Sequence, residues 1–185
     1  LAQVHRLGAA GLGLFRTEFL FLHGSVLPDE QTQFEHYRDA VLAMAGRPTT
    51  FRTMDLGADK ADRAGLAPIN EENPALGLRG IRLALANPAV LDTQLRAILR
   101  ASGYGPVRIL VPMVSGRDEL LAVRRRVRLL GKQLRQQGHA VSDAIALGAM
   151  IEVPAAALAL YSFIDLVDFL SVGTNDLAQY LLAAD

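Results

Sequence analysis

Four charged clusters in the chain have the residue types and positions to act on an anionic substrate. Arg16 opens Arg16-Thr17-Glu18, and Arg52 opens Arg52-Thr53-Met54-Asp55. Glu152 precedes Val153-Pro154, and Asn175-Asp176 follows Thr174. Guanidinium groups are rigid, two-pronged donors that match phosphate and carboxylate oxygens. Carboxylates are hard oxygen ligands, and Mg²⁺ is commonly held by one or two of them, with water and substrate oxygens completing the shell. An anion gripped by Arg16 and Arg52 and chelated to Mg²⁺ on Glu152 and Asp176, with the Asn175 amide alongside, is a coherent site. Such a site would neutralise the charge that moves when a phosphoryl group leaves. Each residue also has a purely structural use. Arg16 could pair with Glu18, Arg52 with Asp55, and Glu152 with either arginine. Asn175 or Asp176 could simply cap a helix.

What the clusters share is their place behind short apolar runs. These runs are GLGLF (11–15), TTFRTM (49–54), ALGAMI (146–151) and VDFLSVG (167–173), and a fifth, VRILVPM (107–113), leads to Met113 and Ser115. Short, nearly continuous apolar runs bounded by Gly or Pro predict strands covered on both faces. Helical patterns separate them. Pro28 and Asp29-Glu30 open one, with Phe34, Tyr37, Val41 and Ala45 on its inner face and Gly46 and Pro48 beyond it. Asn87-Pro88 opens another, with Leu91, Leu95, Ile98 and Leu99 inward and Gly103 as its stop. Ser115 and Asp118 have capping-box spacing ahead of Leu120, Val123, Val127, Leu130 and Leu134. Pro154 starts a short helix, and Asn175 or Asp176 the last one.

Strand–helix alternation predicts a parallel α/β architecture. An open five-stranded sheet is one solution. The other is a partial (β/α)8 TIM-type barrel, truncated at both ends, because a full barrel has eight strands and typically ~250 residues. Charge delivered after strand upon strand fits the barrel, whose chemistry sits at the carboxyl ends of its strands.

Composition narrows the field. The 185 residues, with no initiator methionine, read as one domain (1–185) and as a fragment of something longer. Lys+Arg and Asp+Glu are 19 each, so no basic field exists to recruit nucleic acid. No apolar run is long enough to cross a bilayer, and LAQVHRLG at the start lacks a signal-peptide layout. With no cysteine, the chain has no disulfide, thiolate metal site or cysteine nucleophile, a composition that fits the cytoplasm. The glycines of GAAGLG (8–13) precede a strand instead of following it, which is the wrong context for a phosphate loop. Arg124, Arg125, Arg126, Arg128, Lys132 and Arg135 read as a solvated helix face. Met44, Met54, Met113 and Met150 read as core. None of His5, His23, His36 and His139 follows a strand, so none is assigned chemistry.

Several segments, in order, carry a resemblance: GLGLFRTEFLF, FRTMDLGADK, NPALGLRGIR, QLRAILRAS, VPM, IEVPAAAL and SVGTNDLAQY. Together they are similar to the phosphoenolpyruvate-binding barrel of the Enzyme I family, the phosphoenolpyruvate–protein phosphotransferases of the bacterial sugar phosphotransferase system. The resemblance spans essentially the whole chain. It implies that Arg16 and Arg52 grip the phosphate and carboxylate of phosphoenolpyruvate, that Glu152 and Asp176 hold Mg²⁺, that Asn175 contacts substrate, and that Arg79 joins on the phosphate side. It implies transfer of the phosphoryl group to a histidine of an N-terminal domain, and from there to a small histidine phosphocarrier protein, in a cytoplasmic homodimer serving sugar uptake. The family's further substrate arginine would follow Asp185, and its catalytic cysteine and acceptor histidine have no counterpart in these residues, so the fragment alone is expected to be inactive. Pyruvate phosphate dikinase and phosphoenolpyruvate synthase share a similar barrel, although Met54–Lys60 resembles the sugar-system enzyme. A Mg²⁺-dependent lyase acting on a pyruvate enolate and a non-catalytic barrel fragment are the remaining alternatives.

Overall fold

The computed structural model of the chain describes residues 8–22, 27–57, 66, 72–73 and 75–184. Five strands form one sheet: β1 (Leu12–Arg16), β2 (Thr49–Arg52), β3 (Val107–Val111), β4 (Ala146–Ile151) and β5 (Phe169–Val172). They lie in strict chain order, and every neighbouring pair is parallel. A doubly wound sheet must reverse its strand order at a switch point. This sheet never reverses. It curls as part of a TIM-type barrel, which settles the choice between the two architectures.

Between and after the strands lie α1 (Glu18–Leu22), α2 (Glu30–Ala43), α3 (Gly80–Ala86), α4 (Pro88–Ala101), α5 (Arg117–Gln136), α6 (Pro154–Leu158) and α7 (Thr174–Leu182). Period-2 alternation assigns the two sheet faces. Phe51, Ile109, Val111, Leu147, Ala149 and Ile151 pack with Tyr37, Leu95, Leu99, Leu120 and Leu134 in one buried cluster between sheet and helices. Each such large side chain contributes about 1.5–3 kcal/mol on burial. The other face carries Arg52 and Met150, whose Nη1 and Sδ lie 3.8 Å apart. On that face the Phe169 ring covers Gly148, where a Cβ would stand 2.4 Å from ring carbons.

Several helix boundaries follow the local signals. Asp29 caps α2 by accepting the Thr32 N–H at 2.7 Å, and Pro88 is the first residue of α4. Gly103 falls in the 3₁₀ turn Ser102–Tyr104 that closes α4. Three expectations need correction. Helix α2 ends at Ala43, and Ala45 is exposed in a left-handed turn (φ 50°), so buried Met44 takes the inward place. The capping carboxylate of α5 is Glu119, not Asp118. It accepts the Ser115 N–H (2.6 Å), the Gly116 N–H (3.1 Å) and the Ser115 hydroxyl (2.9 Å). Helix α7 is capped by Gly173, leaving Asn175 and Asp176 inside its first turn.

In the glycine run at 8–13, Gly11 serves a close approach to Pro48. Leu12 N–H donates to Pro48 O at 2.8 Å, and a Cβ on Gly11 would meet that same oxygen at 2.8 Å. On α5, Arg125, Arg128 and Lys132 are exposed, while Arg126 pairs with Asp92 at 2.6 Å and Arg135 with Asp143 at 3.0 Å. All four methionines are buried, and His36 and His139 are exposed. His5, His23, residues 58–60 of FRTMDLGADK and Pro74 of NPALGLRGIR lie outside the described residues. Among the described residues no helix is long and apolar enough to cross a membrane.

Candidate anion and metal site at the carboxyl rim

Parallel pairing aligns Arg16 with Arg52 as the last residues of adjacent strands. Their environments differ sharply. Arg52 is 5% exposed. Its Nε and Nη2 donate to Glu18 Oε1 at 3.2 and 2.9 Å, and its Nη1 lies 3.3 Å from Asp55 Oδ2. Glu18 Oε1 also accepts the Asp55 N–H at 3.2 Å. Arg16 is exposed, and no hydrogen bond or ion pair engages its side chain among the described residues.

The charge pattern continues along the rim. Asp55 Oδ2 lies 3.6 Å from Arg79 Nη2, and Arg79 Nη1 lies 3.2 Å from Asp176 Oδ1. Glu18, Arg52, Asp55, Arg79 and Asp176 thus form an alternating ladder from the end of β1 to the start of α7. Arg79, the extended residue before α3, also donates to Tyr180 OH at 3.3 Å, and Tyr180 donates to Ala75 O. Burial opposes the Arg79 charge, but Asp55 and Asp176 more than offset this and hold its pKa above the ordinary guanidinium value.

Glu152 is the first residue past β4 and is 1% exposed. Its Oε1 accepts the Met113 N–H at 2.6 Å. Met113 adopts a left-handed backbone (φ 56°), uncommon outside glycine, and this aims its N–H at the carboxylate. Two glycines make room. A Cβ on Gly80 (φ 54°) would lie 2.6 Å from Met113 Cβ, and one on Gly173 would lie 2.5 Å from Glu152 Oε2. Burial pushes the Glu152 pKa up to about 7; the Asp55 and Asp176 charges add to the rise, against the Met113 hydrogen bond and Arg52.

Arg16 does not pair with Glu18; Arg52 takes Glu18 as well as Asp55. Glu152 forms no salt bridge among the described residues and is held by a backbone N–H instead. Neither Asn175 nor Asp176 is a helix cap. Asn175 is exposed, with no side-chain hydrogen bond among the described residues. Sequence reasoning passed over Asp55 as the link between two arginines, and over Tyr180. The available signal was a carboxylate two or three positions beyond each strand-end arginine.

The donor set suits a hard divalent cation. Among the described residues no three His, Cys, Asp or Glu side chains converge as a metal cluster. A cation held by Glu152 and Asp176 alone would keep several positions open for water and substrate oxygens, an arrangement Mg²⁺ accepts. Negative charge is also in surplus: Asp55 Oδ1 is buried without a hydrogen-bond partner, and Glu152 holds a proton unusually well.

A sequence profile described as PEP-utilising enzyme, PEP-binding domain matches residues 1–185. A phosphoenolpyruvate-protein phosphotransferase of Cupriavidus necator is 51% identical over 180 residues, 96% of this chain and 31% of that protein. One from Staphylococcus aureus is 46% identical over 178 residues, 96% of this chain and 31% of that protein. A multiphosphoryl transfer protein of Escherichia coli O157:H7 is 44% identical over 178 residues, again 96% of this chain but 21% of that protein. The chain spans about a third or less of the length of these curated relatives.

Proposed function

The chain belongs to the PEP-utilising enzymes as a PEP-binding domain, and from that membership we propose that it is the substrate-holding barrel of a phosphoenolpyruvate–protein phosphotransferase. The rim ladder supports this most directly, because it gathers Arg52, Arg79, Asp55 and Asp176 at the carboxyl ends of the strands, with Arg16 and Glu152 at the same ends. Arg16, unengaged, and Arg52, fixed, bind the phosphate and carboxylate groups of phosphoenolpyruvate. Arg79 assists on the phosphate side, and Asn175 contacts substrate from the first turn of α7. Glu152 and Asp176 would hold Mg²⁺, which when bound supplies Lewis-acid neutralisation of phosphate and enolate oxygens.

In the proposed reaction the bond from phosphorus to the enol oxygen breaks, and phosphorus bonds to an imidazole nitrogen of a histidine on another domain. Pyruvate leaves after its enolate takes a proton. The phosphohistidine then supplies a small histidine phosphocarrier protein for sugar uptake. The longer protein works in the cytoplasm as a homodimer. Arg52 and Arg79 are already neutralised by acidic neighbours, so substrate oxygens share their donors rather than meeting bare charge.

The names of the similar proteins favour this reading over a dikinase, and nucleotide dependence tests it. Phosphoenolpyruvate should phosphorylate the phosphocarrier in the longer protein with Mg²⁺ and no nucleotide; an absolute nucleotide requirement would move the assignment to the dikinases. Glu152→Gln and Asp176→Asn should each weaken Mg²⁺-dependent phosphoenolpyruvate binding, and unchanged affinity in both would refute the metal assignment. The 185 residues alone, which contain no cysteine to act as a proton donor, should release no pyruvate.

A further inference from the structure

Resting on the phosphoenolpyruvate reading, we propose that Gln94, buried in the middle of α4, is the positioning residue that holds the two arginine-bearing strand ends in register for substrate. Gln94 is 1% exposed. Its neighbours on the inward face of α4 are Leu91, Leu95, Ile98 and Leu99, so an apolar residue would serve the core equally well. Burying a primary amide is costly unless each of its hydrogens and its oxygen finds a partner. All three do.

Gln94 Oε1 accepts the Met54 N–H at 2.9 Å. Its Nε2 donates to Thr17 Oγ1 at 3.1 Å and to Tyr37 OH at 3.3 Å. A backbone N–H can only donate, so the amide oxygen must face Met54 and both amide hydrogens must face the hydroxyls. The hydroxyls then have one direction left. Thr17 Oγ1 donates to Arg52 O at 2.9 Å, and Tyr37 OH donates to Gln33 Oε1 at 3.1 Å.

The placement of these contacts gives them their meaning. Thr17 lies between Arg16 and Glu18, and Met54 lies just before Asp55, two residues past Arg52. One side chain therefore ties together, through main-chain atoms and Thr17, the segments that carry four rim residues from two different strands. The Thr17 branch reaches the Arg52 carbonyl, whereas Tyr37 OH, which also lies against the Thr17 hydroxyl, donates onward to Gln33, whose Nε2 donates to Pro28 O. A fully satisfied buried polar network specifies one geometry, and a substrate-binding pair misplaced by a fraction of an ångström to about 1 Å can lose up to about 100-fold in rate.

The two branches provide the test. Phosphoenolpyruvate affinity with Mg²⁺ present, and Mn²⁺ affinity without phosphoenolpyruvate, are measured on the full-length protein carrying Thr17→Val, Thr17→Ser, Tyr37→Phe or Gln94→Met. Thr17→Val and Gln94→Met should weaken phosphoenolpyruvate binding about tenfold or more, with Thr17→Ser and Tyr37→Phe close to wild type and Mn²⁺ affinity unchanged throughout. A network that serves stability alone would not separate Tyr37→Phe from Thr17→Val. Equal losses in those two variants, or wild-type affinity in Thr17→Val, overturn the inference. If Gln94→Met does not fold, the isosteric Thr17→Val against the hydroxyl-retaining Thr17→Ser decides the matter. A wild-type protein that binds no phosphoenolpyruvate overturns the functional reading and this inference with it, whereas tight wild-type binding with an unaffected Thr17→Val overturns this inference alone.

Discussion

At the scale of single residues, Arg16 and Arg52 occupy equivalent strand ends but have opposite energetics. Arg52 sits between Glu18 and Asp55, with side-chain exposures of 6%, 13% and 4%. Removing one partner of a buried pair strands the others, typically at a cost of about 3–5 kcal/mol. Arg52→Ala should therefore lower the thermal midpoint by many degrees as well as remove substrate binding. Arg16→Ala should leave stability within about 0.5 kcal/mol, as for an exposed site without partners, while still weakening phosphoenolpyruvate binding; calorimetry and a thermal melt on both variants check this. Glu152 makes a prediction about pH. Its carboxyl titrates at about 7 in the fold against 4.5 in the open chain, so the folded state binds the extra proton between those values. Its contribution to stability is fully present below 4.5 and is lost as pH rises through 7. In EDTA, the melting midpoint of Glu152→Gln should fall less than that of wild type between pH 5 and pH 8, and parallel curves would contradict the assignment. The strand-end placement of Arg16, Arg52 and Glu152 was legible as residue types behind apolar runs. The cross-pair of Arg52 with Glu18 was not, because sequence proximity favoured Glu18 with Arg16, and only strand pairing brings Glu18 to Arg52. Gln94 was hidden for a related reason: a glutamine on an otherwise apolar helix face carries no local sign of which distant backbone it will hold.

At the scale of elements, caps and close approaches decide the details. Glu119 satisfies two N–H groups and a hydroxyl at the head of α5. Glu119→Ala should cost about 0.5–2 kcal/mol, the range for a lost helix cap, whereas Asp118→Ala should cost little; denaturant melts of the two variants distinguish them. The five strands could be read because apolar runs bounded by Gly and Pro leave few other assignments, and the observed cores lie within those runs or one residue beyond. The ends shifted where tertiary bonds take over. Leu110 accepts the Thr53 N–H but Gln94 accepts that of Met54, so β2 stops short of its apolar run. Helix α3 escaped notice because its seven residues start at a glycine in a left-handed conformation, a local stop signal rather than a start.

For the molecule as a whole, β1 and β5 are sheet edges among the described residues. Beyond β4 lies a run of exposed apolar side chains, including Leu158 (88%), Tyr161 (93%), Val172 (61%) and Leu182 (72%). Open edges and apolar surface of this kind promote association. The 185 residues in isolation should therefore show a concentration-dependent mass by light scattering, and a strictly monomeric chain at high concentration would contradict this. Barrel membership was legible only as a preference for charge at strand ends; the unreversed strand order, a property of the assembled sheet, made it definite. That order has a consequence for the nascent chain. Each strand finds its partner in the one synthesised just before it, so the sheet can grow by addition at one edge as the polypeptide leaves the ribosome, without waiting for a distant segment. The arginine-bearing strands would then be paired, with Gln94 available to bridge them once α4 has emerged, before Glu152 and Asp176 have been made. On that order, the proposed anion-binding arginines of β1 and β2 would be in place before the proposed cation ligands Glu152 and Asp176 join them.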